Sequence, residues 1–232
     1  MIKFFEKYPK IIAVMSEKKD GSMKLFKDGD INLDNRNKFF RSLGIDSNRV
    51  ISAGIANGIN VKIVSAHSPK IIYETDGLVT NDKNTFLSVT IADCIPVYFY
   101  EPKNGILGIA HCGWRGIADG IIKNTLNKIF ELGGKTENLA VAVGPGICKN
   151  HFEIKKDVLD KFSDYPKFII RSDGKIFVDL KRIIKKQLGD FKIKSENIED
   201  NPECTFESDR YFSFRRDKPE VVEAMIAVIG IK

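Results

Sequence analysis

Histidine and cysteine are scarce in this sequence: three and four, with one tryptophan and eight prolines, in 232 residues. Cys94, Cys112, Cys148 and Cys204 are too few for a disulfide framework, and no two stand in Cys-x-x-Cys spacing. That usage predicts reduced thiols and a cytoplasmic protein. No apolar run reaches the roughly 18–20 residues that a membrane span needs, because the longest, Leu87 to Tyr100, is broken by Asp93. The opening Met-Ile-Lys-Phe-Phe-Glu-Lys lacks the apolar region and the small-residue cleavage site of a secretory leader. Charge of one sign is not in great excess, since 37 Lys and Arg face 31 Asp and Glu for a formal +6. The lysines are dispersed, with runs no longer than pairs such as Lys18-Lys19, so charge does not predict a nucleic-acid partner. Fixed-period repeats, low-complexity tracts and Pro- or Ser-rich linkers are absent too, which predicts one domain over residues 1–232.

What is present suffices for a full core: 43% of residues are hydrophobic and 29% charged. β-rich runs predict strands at 10–15, 50–53, 61–66, 86–91, 95–100, 106–110 and 139–143, and again at 211–215 and 224–231. Helical spacing of Ile117, Ile121, Ile122, Leu126, Ile129 and Phe130 predicts a helix from Ile117 to Leu132, stopped by Gly133-Gly134. Further helices are expected from an Asp34 cap to Leu43, over 155–162, and from an Asp179 cap to Gly189. Strands and helices mix without strict βαβ alternation, which favours the α+β class.

Few residues can carry chemistry. His67 and His111 fall at expected strand exits, and Cys94 sits in the break between two apolar strands. Brought together, one thiolate and two imidazoles make a zinc site with an open fourth position, although the same ligands suit copper. Their spacings of 27 and 17 residues fit no short metal motif, and Cys94 with either histidine is equally a nucleophile–base pair. His111-Cys112-Gly113-Trp114-Arg115-Gly116 reads either as an anion-binding strand-to-helix turn or as a turn with a packed tryptophan. His151 has no partner pattern and reads as a surface or packing residue. Arg215 and Arg216 end an expected strand, with Phe212 and Phe214 on one face, and could hold phosphate or carboxylate.

Taken jointly, the strings resemble a known family. Thr75-Asp76-Gly77-Leu78-Val79-Thr80, Ala92-Asp93-Cys94-x-Pro96, the His111 to Gly116 string, Gly144-Pro145-x-Ile147, and Cys204-Thr205 followed by Phe212-Ser213-Phe214-Arg215-Arg216 look like the laccase-domain family. It is also called the multicopper polyphenol oxidoreductase family, with members reassigned as purine nucleoside phosphorylases. The resemblance implies a single α+β domain of layered mixed sheets flanked by helices. It implies zinc on His67, Cys94 and His111. It also implies phosphorolysis of purine nucleosides and methylthioadenosine, with adenosine deamination beside it. On this reading the metal activates water, Asp93 orients a ligand or transfers protons, and Arg115, Arg215 and Arg216 hold phosphate. Copper-dependent phenol oxidation is the alternative implied by the older name, disfavoured because three histidines are too few for a multicopper site. A Cys–His hydrolase is the other. The chain departs from the family pattern at Cys112, where an alanine is usual, at Phe152-Glu153-Ile154, and at Asp217-Lys218-Pro219.

Overall fold

A computed structural model describes residues 1–25 and 32–232. In chain order its strands are β1 (Ile2–Lys3), β2 (Ile11–Met15), β3 (Val50–Gly54), β4 (Val61–Ile63), β5 (Ile71–Tyr73), β6 (Gly77–Thr80), β7 (Phe86–Ile91), β8 (Ile95–Glu101), β9 (Ile106–Cys112), β10 (Ala140–Val143), β11 (Glu153–Ile154), β12 (Ile169–Ser172), β13 (Lys175–Val178), β14 (Ile198–Asp200) and β15 (Met225–Ile231). The helices are α1 (Leu33–Ser42), α2 (Trp114–Asp119), α3 (Ile121–Glu131), α4 (Lys156–Leu159), α5 (Leu180–Asp190) and α6 (Phe214–Asp217). One mixed sheet runs β1-β2-β15-β7-β3-β5 and a second runs β14-β10-β8-β9-β6-β4; a small antiparallel sheet, β11-β13-β12, stands apart.

Period-two alternation explains how the sheets stack. Leu87, Val89 and Ile91 of β7 face Tyr98 of β8 and Leu107 and Ile109 of β9 in a core between the two large sheets. The other face of the second sheet, with Ile95, Val97, Phe99, Ala110 and Cys112, packs under α2, α3, α5 and the small sheet. The outer face of the first sheet, with Val14, Phe86 and Val228, packs against Phe39 and Phe40 of α1. The result is the expected α+β class in four layers, helix, sheet, sheet and helix.

Several elements differ from their expected form. The helix expected from Ile117 begins earlier, at Trp114, and breaks into α2 and α3 at Gly120, whose φ of +101° only glycine adopts without strain. α5 is capped as expected, with the Asp179 carboxylate accepting from the Arg182 amide at 3.0 Å, but it runs through Gly189 to Asp190. Residues 211–215 are not a strand. Ser213 accepts the Arg216 amide at 3.2 Å and caps α6, a local bond that outcompetes sheet pairing. Tyr211, Phe212 and Ser213 are all buried while Phe214 is exposed, so the expected alternation of faces is absent. β9 extends through His111 to Cys112, which puts the histidine inside the sheet's last ladder rungs, opposite Pro96.

Candidate active site

The site starts from a buried carboxylate at the head of β6. Asp76 is fully buried and accepts three backbone amides from the loop after β3: Asn57 at 2.9 Å, Gly58 at 2.8 Å and Ala56 at 3.4 Å. His111 Nδ1 lies 3.0 Å from the same carboxylate, and the His111 amide donates to the Asp76 carbonyl at 2.7 Å. Burial alone would raise the Asp76 carboxyl, but the His111 imidazole and the loop amides more than offset it and hold the group below its ordinary range.

With Nδ1 committed to Asp76, the rest of the His111 ring is free to feel Cys94, whose sulfur is near enough to stabilise the charged imidazole. Burial by itself would depress the imidazole. The Cys94 charge and the Asp76 carboxylate reverse this and push it up to about 9. Gly113 shows how tightly the groups converge. A Cβ there would lie 3.3 Å from Cys94 Sγ, 3.4 Å from His111 Cε1 and 3.8 Å from Asn57 Oδ1.

Cys94 is presented by a strained turn. Asp93 has a left-handed φ of +79°, held because its side chain and carbonyl are all engaged. Its carboxylate accepts Thr205 Oγ1 and the Arg215 amide, each at 2.7 Å, and its carbonyl accepts the Ile147 amide at 2.8 Å. Asp93 therefore ties the Cys94 turn to the segments carrying Ile147, Thr205 and Arg215. Cys94 and His111 open onto a cavity of about 440 Å³ that Asn57, Asp93, Trp114, Arg115, Phe152 and Arg215 also line. That size is ordinary for a small-molecule site.

The expected site residues separate on this frame. Cys94, His111 and Asp93 meet at the cavity, but His67 lies elsewhere. It is exposed in the turn after β4, where the neighbouring Ala66 amide donates to Asp82 at 2.7 Å. Asp82 and Asp76 lie beyond opposite ends of β6, whose four extended residues alone span roughly 13 Å. His67 therefore does not join Cys94 and His111; Asn57 stands in the third place. Arg115, stacked over Trp114 at 4.3 Å, and Arg215 both reach the cavity. Arg216 points away and is spent on the carbonyls of Thr205, Phe206, Ser208 and Tyr211 at 2.8–3.2 Å. Cys112 faces the helix layer, one residue out of phase with His111, and burial raises its thiol well above the usual range.

These donors do not fit the expected centre. One thiolate, one imidazole and one carboxamide oxygen are a strong nitrogen ligand short of the two-histidine, one-cysteine set. The residue that sequence reasoning did not assign a role is Asp76. Its signal was an Asp-Gly pair opening a β-rich run. A second group that could bind a metal is Cys148, His151, Cys204 and Glu207, whose ligand atoms all lie within 4.8 Å of one another. His151 is thus not the partnerless residue expected. Its signal was a Cys-x-x-His step answered by a Cys-x-x-Glu step 56 residues on.

Comparison with known proteins follows the same lines. Residues 26–232 match the family described as multi-copper polyphenol oxidoreductase laccase. A purine nucleoside phosphorylase of Deinococcus radiodurans is 30% identical over 205 residues, 85% of this chain and 76% of that protein. Purine nucleoside phosphorylase SERP0752 of Staphylococcus epidermidis is 35% identical over 168 residues, 69% of this chain and 62% of that protein. The crystal structure of Bacillus licheniformis hypothetical protein YfiH superposes with a TM-score of 0.89 at 26% identity, covering 98% of this chain and 95% of that one. YlmD of Geobacillus stearothermophilus gives 0.89 at 25% identity, covering 97% and 93%. No helix among the described residues is long and apolar enough to cross a membrane.

Proposed function

The chain belongs to the multi-copper polyphenol oxidoreductase laccase family, and from that premise we propose that it is a purine nucleoside phosphorylase. The names of the Deinococcus and Staphylococcus relatives support this reading. The observation that carries it is the His111 imidazole, held by Asp76 and facing a cavity walled by two guanidiniums.

Arg115 and Arg215 bind inorganic phosphate through charge-assisted hydrogen bonds. Trp114 and Phe152 offer flat apolar walls to the purine. A phosphate oxygen forms a bond to the sugar C1′ as the bond from C1′ to the base nitrogen breaks, and the electron pair moves into the purine. His111, protonated at neutral pH because its group is pushed up to about 9, gives its proton to a purine ring nitrogen. Asp76 keeps the ring in the orientation that allows this. Asp93 acts as a positioning residue.

Methylthioadenosine enters the same reaction, since it differs from adenosine only at the 5′ position. Adenosine deamination needs a strongly activated water. With one imidazole in the donor set we read it as at most a minor activity, and the zinc implied for this cavity as lacking a ligand. The four free thiols suit a reducing cytoplasm.

The test is release of hypoxanthine from inosine with and without phosphate. Phosphate-dependent release with formation of a sugar phosphate supports the reading; turnover indifferent to phosphate overturns it. The alignment of Cys94, His111 and Asp76 specifically favours one rival, a thiol hydrolase with Cys94 as nucleophile. Phosphate-independent ester or amide cleavage, with a covalent intermediate on Cys94, would establish that rival.

A further inference from the structure

The cluster outside the cavity has no part in the reaction above. Cys148 and His151 stand three residues apart in one turn, with the His151 amide donating to the Cys148 carbonyl at 3.0 Å. Cys204 and Glu207 stand three apart in another, where the Ser208 amide donates to the Cys204 carbonyl at 3.1 Å. An isolated bridge between Gly146 and Cys204 brings the two turns together. The distances are those of a coordination shell. Cys148 Sγ lies 3.3 Å from His151 Nδ1 and 3.5 Å from Glu207 Oε1. His151 Nδ1 lies 3.8 Å from Cys204 Sγ and 3.3 Å from Glu207 Oε1. A tetrahedron drawn with ordinary zinc–sulfur, zinc–nitrogen and zinc–oxygen lengths has edges of about 3.4–3.8 Å.

We propose that Cys148, His151, Cys204 and Glu207 bind one zinc ion tetrahedrally, as a structural site that clamps residues 144–152 to residues 201–210.

Two further observations fit a cation here. Phe206 stacks on the His151 ring at 4.2 Å and 15°, fixing the plane in which Nδ1 can bind. Two thiolates and a carboxylate bring three negative charges, which a divalent ion together with the nearby ammonium of Lys181 neutralises. All four positions are occupied by protein, which marks a structural rather than a catalytic site. The carboxylate favours zinc over monovalent copper, which prefers soft ligands throughout. The clamp would act on the reaction site only at second hand. His151 and Glu153 carbonyls receive the Arg215 guanidinium, and Thr205 holds Asp93.

The experiment uses the whole chain, purified under reducing conditions, with metal content measured by mass spectrometry. After chelation, cobalt is titrated as a coloured probe. The proposal expects one zinc per chain in the parent and in Cys94→Ala, loss of it in Cys148→Ser and Cys204→Ser, and intense tetrahedral cobalt–thiolate bands that vanish with the same substitutions. It expects chelation to lower the melting temperature. Should the cysteine variants fail to fold, Glu207→Gln on the surface still weakens zinc binding and shifts the cobalt spectrum. Zinc lost in Cys94→Ala but kept in Cys148→Ser, a Cys148–Cys204 disulfide in the reduced preparation, or no metal bound from a zinc-containing buffer would each overturn it. The readout is metal, so failure of the nucleoside reading would leave this result standing.

Discussion

Two constellations of the same residue types, thiol, imidazole and carboxylate, sit in this protein and face different things. At the cavity, Cys94, His111 and Asp76 form a group in which the carboxylate holds the ring and the sulfur lies near it, beside open space. At the second cluster, the ligand atoms of Cys148, His151, Cys204 and Glu207 converge on one another, all within 4.8 Å. The first is anchored in β6 and β9 and backed by a buried carboxylate. The second hangs on two turns at the surface, with Glu207 more than half exposed. Residue type alone therefore does not separate catalysis from metal clamping. What separates them is whether the donor atoms converge on each other or on a cavity.

The comparison can be broken most sharply at His111. His111→Gln is expected to cut phosphorolysis by about 10²–10⁴, the usual worth of general acid catalysis, with metal content unchanged. Equal loss of activity and of zinc would merge the two sites. Next come the arginines. Arg215→Ala is expected to raise the KM for phosphate by roughly 10–100-fold, as for a lost hydrogen bond to a charged group. Arg216→Lys, whose parent side chain donates to backbone carbonyls, is expected to leave that KM alone and cost about 1–3 kcal/mol in a denaturant melt. Asn57→His adds the missing imidazole beside Cys94 and His111. It is expected to raise zinc by one equivalent per chain, which metal analysis would read directly.

A pH profile sharpens the contrast further. His111 is raised from 6.5 to about 9, so its contribution to stability is fully present below about 6.5 and lost as pH rises through about 9. kcat/KM should fall over that upper limb, and His111→Gln should abolish the limb. The smallest effect is expected at His67. On its exposed turn, His67→Ala should leave turnover within about twofold, in keeping with surface substitutions generally.

Much of the framework was legible because its signals are local. β7 was expected at Phe86–Ile91 and is found there, and the strands at β8, β9 and β15 came within two residues of their ends. Asp179 declared its helix by side-chain capping. The failures also have local causes. Gly120 divides a continuous apolar stripe into α2 and α3, and Ser213 caps a helix where aromatic alternation had suggested a strand. At the cavity, Cys94 and His111 were legible as chemistry. Arg215 and Arg216 looked equivalent until α6 set Arg215 along the cavity wall, with one Nη1 bond to the Glu153 carbonyl, and turned Arg216 wholly onto carbonyls and Asp217 away from it.

The sequence by itself determined the α+β class, the apolar faces that stack into four layers, and the short stock of groups able to do chemistry. Those follow from period, capping and residue type, which neighbouring residues decide among themselves. Only the tertiary structure decided which of those groups meet. His67 and His111 both follow β-rich segments, but β6 separates Asp82, which accepts the Ala66 amide beside His67, from Asp76, which holds the His111 ring. Cys148 and Cys204 lie 56 residues apart, and the bridge at Gly146 closes that gap. Pairing between distant segments sets such distances, and no spacing along the chain encodes them.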